Sequence, residues 1–82
     1  MSADFHQKLA KILHFHRKKA GLSRQALARL AGVGKKAVFD LEHAKPSVQL
    51  NTLLRLLEAL NIQLKMDSPL MAAFREEANA PG

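Results

Sequence analysis

The side chains that could carry chemistry in this chain are its histidines, its carboxylates and a large set of lysines and arginines. His14 and His16 are two residues apart, so on a helix they point to different faces, and no histidine pair stands four residues apart with a third ligand nearby. Asp40 and Glu42 also fall on different helix faces, which argues against a general acid and base pair. There is no phosphate-binding loop and no GxSxG turn. These patterns predict no metal, no cofactor, no catalytic residues and no enzyme activity.

The basic residues are unevenly distributed, and this distribution points to a polyanionic partner. Residues 1–39 hold nine lysines and arginines against Asp4 alone, a net charge of +8, whereas residues 40–82 carry −2, which gives +6 for the whole chain. A surface of this sign suits nucleic acid. Charge alone leaves the alternative of a generic solvated basic face.

Two short helices must position the basic residues. Ser23 is a good N-cap for a helix from Arg24 to Ala31, and a second helix runs from Lys35 to Glu42 and opens with two lysines. The connecting turn is too short for antiparallel helices, so the two helices cross at a steep angle. A small residue, a glycine and two apolar residues carry the spacing of a helix-turn-helix: Ala28, Gly32, Val38 and Leu41. The pattern predicts DNA binding.

Three further helices complete an all-α fold of one small domain. They are expected at Phe5 to Lys19 or Ala20, Leu50 to Leu60, and Pro69 to Glu77. Their apolar faces are expected to contain Phe5, Leu9, Ile12, Leu13 and His16 in the first helix, and Leu50, Leu53, Leu54, Leu57 and Leu60 in the fourth. Residues 1–3 are expected to be a loose start. The 82 residues contain no cysteine, no apolar run long enough for a membrane span and no signal peptide, which fits a cytoplasmic protein.

The sequence changes its period after the fourth helix. Apolar Ile62, Leu64 and Met66 alternate with polar Gln63 and Lys65, which is typical of a β-strand. A lone strand cannot satisfy its own hydrogen bonds, so we expect it to pair with the same strand of a second copy. The alternative is an extended apolar segment tucked over the core. A core this small also favours oligomerisation as a source of stability.

Residues 12–60 resemble the Xre or Cro/CI-type helix-turn-helix family of bacterial and phage repressors. The matching residues are Arg17, Gly21, Leu22, Ser23, Leu27, Ala28, Gly32, Val33, Val38, Leu41, Glu42, Pro46 and Ser47. The resemblance implies a five-helix lambda-repressor-like domain in which Arg17 and Glu42 form a structural ion pair between the first helix and the reading helix. It also implies double-stranded DNA as the partner.

A narrower resemblance extends over residues 10–67, to the HipB-type antitoxins. It is carried by residues 41–53 and by the strand that follows the fourth helix. It implies a homodimer whose strands pair and a HipA-like Ser/Thr kinase toxin as a further partner. A symmetric dimer would place two reading helices about 34 Å apart, which predicts a palindromic operator. We therefore divide the chain into a DNA-binding domain (1–61), a dimerisation strand (62–67, with Ile62, Leu64 and Met66) and a tail (68–82) that resembles nothing we can place. A stand-alone repressor without a toxin and a bridging adaptor that no longer reads DNA remain alternatives.

The helix-turn-helix geometry predicts which residues face the DNA, because the reading helix enters the major groove by its N-terminal end. The predicted base-reading residues are Lys35, Lys36, Ala37, Phe39 and Asp40. The predicted phosphate contacts are Ser23, Arg24, Gln25, Gly34 and Lys45. Either lysine of the reading helix could instead only neutralise phosphates, Phe39 could belong to the core, and Asp40 could only bond Lys36 one turn away.

Two positions depart from the resembled pattern. Arg24 stands where the family usually has a glutamine that braces the reading helix and holds a phosphate. Gly34 stands where the family usually has a serine, threonine or asparagine cap, so its backbone amide must serve the phosphate instead.

Overall fold

The computed structural model describes residues 3–79, and the side chains of residues 4–79. Residues 1, 2 and 80–82, which include most of the expected loose start and the end of the tail, lie outside that range. The described residues form five helices: α1 (Ala3–Lys19), α2 (Arg24–Ala31), α3 (Lys35–Glu42), α4 (Leu50–Ala59) and α5 (Met71–Ala78). The predicted all-α class is confirmed. Four of the helices fall within residues 1–61, so the fifth lies beyond the predicted DNA-binding domain.

The helix boundaries follow from local capping. Ser23 Oγ accepts a hydrogen bond of 3.0 Å from the Ala26 amide and so caps α2. Gly32 ends α2 at φ 73°, a left-handed conformation that glycine adopts without steric cost. Gly34 precedes α3 with extended backbone and provides no side-chain cap.

Each of the four core helices, α1 to α4, is followed within two residues by a residue in the left-handed conformation. Only two of these four residues are glycines. The residues are Gly21, Gly32, Ala44 and Asn61. After α3, the Lys45 amide bonds the Asp40 carbonyl at 3.0 Å and the Ala44 amide bonds the Leu41 carbonyl at 3.2 Å, which is the Schellman arrangement. Ala44 holds φ 60° in this turn, where its Cβ is unfavourable. The left-handed turn at Ala44 was not expected from the sequence.

The core packs α1, α2, α3 and α4 around a set of mainly leucine side chains. Its buried members are Leu9, Leu13, Leu27, Ala28, Val38, Leu41, Leu53, Leu56 and Leu57. Ala28 is almost fully buried, as expected for a small residue where two helices approach closely. The predicted apolar faces need correction: Phe5, Ile12, Leu50 and Leu54 are exposed, and Leu56, which was not predicted, is completely buried.

The segment after α4 leaves the core. Ile62 packs against the core as a partly buried residue, and residues 62–68 form neither helix nor strand in this single chain. A strand exists only with a neighbour, so the predicted pairing of Ile62 to Met66 stays a prediction. Helix α5 begins two residues after Pro69 and buries no residue.

The dimensions of the molecule agree with a C-terminal segment that lies off the core. The Cα radius of gyration is 15.4 Å and the longest axis measures 47 Å. A compact chain of this length would have a radius of gyration of about 12 Å. Within residues 3–79, no helix has the length and apolar character required to cross a membrane.

Candidate nucleic-acid interface

Helix α3 presents one face to the core and the opposite face to solvent. Val38 and Leu41 are buried against α1 and α2, which fixes the rotation of α3 about its own axis. Lys35 and Lys36 are exposed at the N-terminal end, and Ala37 is half-buried. The unpaired amides and the positive end of the helix dipole lie at the same end. This end of α3 therefore carries concentrated positive charge.

Phe39 lies on the exposed face and is held by a stack. Its side chain is 46% exposed, so it does not belong to the core. The ring stacks on the His43 ring with centroids 3.9 Å apart and planes inclined by 22°, and the Arg24 guanidinium lies 5.4 Å from the Phe39 centroid. His43 is fixed in turn by a 2.7 Å hydrogen bond between its Nδ1 and the Phe39 carbonyl. The stack brings the N-terminus of α2 beside the exposed face of α3.

Asp40 lies between two lysines of the candidate interface. Lys36 Nζ donates to its carboxylate at 2.8 Å, and Lys45 Nζ lies 3.9 Å from the other oxygen. The hydrogen bond from Lys36 holds the pKa of Asp40 below its usual value and raises the pKa of Lys36. Lys36 and Asp40 are therefore both charged at neutral pH. The i, i+4 bond between Lys36 and Asp40, left open by the sequence, is present.

Glu42 is the hub that ties three helices together. Arg17 donates to it through Nε and, at 3.1 Å, through Nη2, so the ion pair implied by the family resemblance is present. Arg24 Nε also donates to Glu42, at 3.1 Å, and His14 Nδ1 lies at the same distance. Arg17 additionally donates from Nη1 to the Leu22 carbonyl at 2.8 Å. The Glu42 side chain is 2% exposed, yet each of its oxygens has a donor.

The Glu42 carboxylate is ionised across the whole physiological range. Burial by itself would raise its pKa, but the hydrogen bonds from Arg17, His14 and Arg24, together with the Arg17 charge, outweigh burial and hold the pKa at about 2. The sequence did not indicate His14 or Arg24 as partners of Glu42. Both residues reach Glu42 only because α1, α2 and α3 pack against one another, and the sequence of a single helix does not reveal that packing.

The predicted phosphate-contacting residues do not form one cluster. Ser23 uses its hydroxyl to cap α2, and Gln25 is exposed at the N-terminus of that helix. Gly34 is exposed at the start of α3, and Lys45 is exposed in the following loop. The contacts join the site residues in two groups. Arg24 and Phe39 form one group, and Lys36, Asp40 and Lys45 form the other.

Basic residues of α1 extend the positive surface beyond α3. An open groove of about 460 Å³ separates α1 from the C-terminal end of α3. Lys11 and Lys18 line it from α1, and Arg24 and His43 line it from the other side. These two lysines were not among the predicted site residues. Among residues 3–79, no group of three or more histidine, cysteine or carboxylate side chains could hold a metal ion.

Comparisons with known proteins agree with this geometry. Residues 13–65 match the helix-turn-helix family model. The uncharacterized HTH-type transcriptional regulator y4mF of Sinorhizobium fredii is 36% identical over 53 residues, which span 65% of this chain and 70% of that protein. A solved structure described as MDT Protein superposes with a TM-score of 0.70 at 19% identity, covering 78% of this chain and 90% of that one, and shows the same fold. The chain belongs to the Xre/Cro-CI-type helix-turn-helix family of DNA-binding proteins.

Proposed function

We propose that this protein is a dimeric, sequence-specific transcriptional repressor that also serves as antitoxin to a HipA-like Ser/Thr kinase and represses its own operon. The observation that carries the DNA-reading part is the division of α3 into two faces. Val38 and Leu41 anchor one face in the core, and the charged N-terminal end and Phe39 project from the other. A helix held in this way can enter a major groove by its N-terminal end.

The base-reading roles follow from the chemistry of the projecting side chains. Lys35 and Lys36 carry ammonium donors suited to guanine O6 and N7, and Asp40 is an acceptor suited to cytosine N4. Ala37 and Phe39 offer apolar surface to a thymine methyl group. The Lys36–Asp40 bond supports a shared role, because an ammonium and a carboxylate 2.8 Å apart present a donor and an acceptor side by side.

The phosphate contacts are assigned to the rim of this helix. Arg24 and Gln25 at the start of α2, and Lys45 in the loop after α3, carry exposed or partly exposed polar groups. The Ser23 hydroxyl can still accept and donate beyond its cap bond, and the Gly34 backbone lies at a helix N-terminus that favours anions. These groups position the protein on the duplex without reading its sequence.

The dimer and the antitoxin role are the finer parts of the proposal. The apolar alternation of Ile62, Leu64 and Met66, all with solvent-accessible side chains in the single chain, supports pairing of this segment with a second copy. Pairing would place two α3 helices on half-sites about 34 Å apart, one DNA turn, and so predicts a palindromic operator. The toxin partner is supported by the resemblance of residues 41–53 to HipB-type antitoxins. A repressor of this kind would work in the cytoplasm, on nucleoid DNA.

The reading role is tested with a charge-matched pair of variants. Selection from a random duplex pool first defines the preferred site of the wild-type protein. Lys36→Ala should then reduce discrimination between this site and a scrambled duplex by about 1–3 kcal/mol, because a base contact is lost. Lys19→Ala, which removes an exposed lysine at the end of α1 outside the predicted contacts, should leave discrimination unchanged. Equal losses on both duplexes at every salt concentration would refute base reading by Lys36 and assign it to phosphate.

The antitoxin role is tested separately from DNA binding. The protein is expressed from its native operon and purified by a tag on this chain alone. Recovery of a kinase-like protein in a defined ratio supports the toxin partner. Recovery of this chain alone, with tight binding to its own promoter, would contradict the toxin claim and favour a stand-alone repressor, the role that matches the name of the relative from Sinorhizobium fredii.

A further inference from the structure

A small apolar groove lies on the side of the molecule where the chain leaves the core. It is formed by the N-terminal half of α1, the end of α4 and the segment after α4. Lys8, Ile12, Ile62 and Leu64 are among the residues that line it. Its volume is about 140 Å³. An apolar cavity of about 150 Å³ is large enough to bind benzene. The groove therefore matches the size of one phenyl ring.

Helix α5 carries a phenyl ring with no place in its own core. Phe74 is 62% exposed, and Leu70, one helical turn before it, is also exposed. Met71 lies on the same side of the helix and is half-buried. Exposed apolar side chains at this spacing form a docking face on a helix. The helix buries no residue in the single chain, so this face is available to a partner.

The charges around the two surfaces are complementary. Residues 67–79 contain Asp67, Glu76 and Glu77 against Arg75 alone, a net charge of −2. The groove lies on α1, where Lys8 lines it and Lys11 follows one turn later. Docking of α5 on the groove brings acidic residues near basic ones, which favours this orientation over others.

The proposed dimer brings the two surfaces together in different copies. Antiparallel pairing of residues 62–66 centred on Leu64 places Met66 of one copy opposite Ile62 of the second copy. Ile62 lines the groove of its own copy. The residues after Met66 of one copy therefore begin next to the groove of the other copy. Met71 is five residues after Met66, so the connection can span at most about 18 Å when extended, which keeps α5 near that groove.

We propose that α5 of each copy docks on the other copy and inserts Phe74 into the groove beside Ile12 and Leu64. The occupant is a second copy of this chain, and the exchange is reciprocal under two-fold symmetry. This inference rests on the proposed dimer and adds a second element to it. The paired strands set the register between the two copies, and the exchanged helices stabilise the dimer in that register.

The chain contains no cysteine, so single cysteines give an unambiguous test. Lys8→Cys places a thiol at the rim of the groove, and Ala78→Cys places one on the Phe74 face of α5. The two variants are mixed, allowed to exchange subunits and treated with a short bis-maleimide. We expect a covalent heterodimer. Ala72→Cys, on the opposite face of α5, should not cross-link with Lys8→Cys, and adding Phe74→Ala should abolish the product.

Three outcomes overturn the proposal in distinguishable ways. If a chain carrying both Lys8→Cys and Ala78→Cys cross-links only within itself, α5 covers its own groove. If the protein sediments as a dimer and gives no Lys8–Ala78 product, the exchange is wrong and the paired-strand dimer stands. If the wild-type protein sediments as a monomer at every concentration, the dimer and the exchange fail together, and DNA binding by one copy is tested on its own.

The energetic contribution of Phe74 is measured with a matched aromatic control. Phe74→Ala should raise the dimer dissociation constant by about tenfold or more, as for a buried aromatic anchor at an interface. Phe15→Ala removes an exposed phenyl ring on α1 that does not line the groove, and it should leave the constant unchanged. Equal effects of the two substitutions would refute a specific role for Phe74.

Discussion

Replacing Glu42 with glutamine should destabilise the fold more than any other single change of a charged residue in α3. The glutamine keeps the shape of the side chain but loses the negative charge. Arg17 is 7% exposed and would then remain buried without an ionised partner. Removing one member of a buried ion pair typically costs about 3–5 kcal/mol.

The pKa of Glu42 gives a second, independent value for the contribution of its charge to the free energy of unfolding. The pKa of the Glu42 carboxyl falls from a usual value of 4.5 to about 2 in the folded protein. Burial alone would raise this pKa, but Arg17, His14 and Arg24 bond the charged form and lower it. Each pKa unit corresponds to about 1.4 kcal/mol, so the charged carboxylate contributes roughly 3 kcal/mol to stability at neutral pH. A domain of this length has a total stability of roughly 4–12 kcal/mol. The substitution should therefore remove a large fraction of it.

Chemical denaturation followed by far-ultraviolet circular dichroism measures the effect, because the chain has no tryptophan or tyrosine for fluorescence. At neutral pH, Glu42→Gln should lower the free energy of unfolding by about 3 kcal/mol. Glu58→Gln, on an exposed residue of α4, should change it by less than about 0.5 kcal/mol.

The effect should depend on pH with a definite sign. The folded pKa of Glu42 is lower than the unfolded one, so its contribution is complete above about pH 5 and is lost as the pH falls towards 2. The difference between wild type and Glu42→Gln should shrink over this window. A difference below about 0.5 kcal/mol at neutral pH, or one that stays constant down to pH 2, would refute the hub as the main electrostatic anchor of α3.

Two further substitutions test the neighbourhood of α3. Ala44→Gly should stabilise the protein by up to about 1 kcal/mol, because glycine adopts the left-handed conformation without steric cost, and thermal unfolding measures this; a lower melting temperature would refute the claim of strain. Asp40→Asn should reduce discrimination between the preferred site and a scrambled duplex, because it removes the carboxylate proposed to accept from cytosine N4, with Glu58→Gln as the control. Equal tightening on all duplexes would instead show that Asp40 only repels phosphate and occupies Lys36.

The helices were predictable because their ends are marked locally. Ser23 caps α2, Gly32 ends it, and Asn61 takes the left-handed position after α4, each by an effect that depends on one residue and its backbone. Ala44 gives no such signal. Alanine disfavours the left-handed conformation, and the turn forms because the amides of Ala44 and Lys45 complete two hydrogen bonds to α3.

The rotation of α4 and the members of the Glu42 hub were not predictable from one helix at a time. The leucines of α4 surround much of the helix, so periodicity alone could not decide that Leu56 is buried while Leu50 and Leu54 are exposed. The packing of α2 against α4 makes that choice. His14 and Arg24 likewise meet at Glu42 only because α1, α2 and α3 pack together.

Arg24 stands where the resembled family has a glutamine, and we expect it to fill both roles of that glutamine, bracing α3 and holding a phosphate. Its Nε donates to Glu42 at 3.1 Å, which braces α3 through the hub. Its Nη groups are the ends that would reach a phosphate, because a guanidinium presents donors in a fixed fork. A phosphate held there would therefore be mechanically coupled to the orientation of the reading helix.

Arg24→Lys separates the two roles. The lysine keeps the charge but is a point donor that cannot brace Glu42 and hold a phosphate at once. Binding to a scrambled duplex and its salt dependence should remain close to wild type, whereas affinity for the preferred site should fall by about tenfold, since α3 loses one of its anchors. Arg29→Lys, on an exposed arginine of the same helix, serves as the control. Equal losses on both duplexes would mean that Arg24 acts only as a phosphate contact and that its bond to Glu42 does not orient α3.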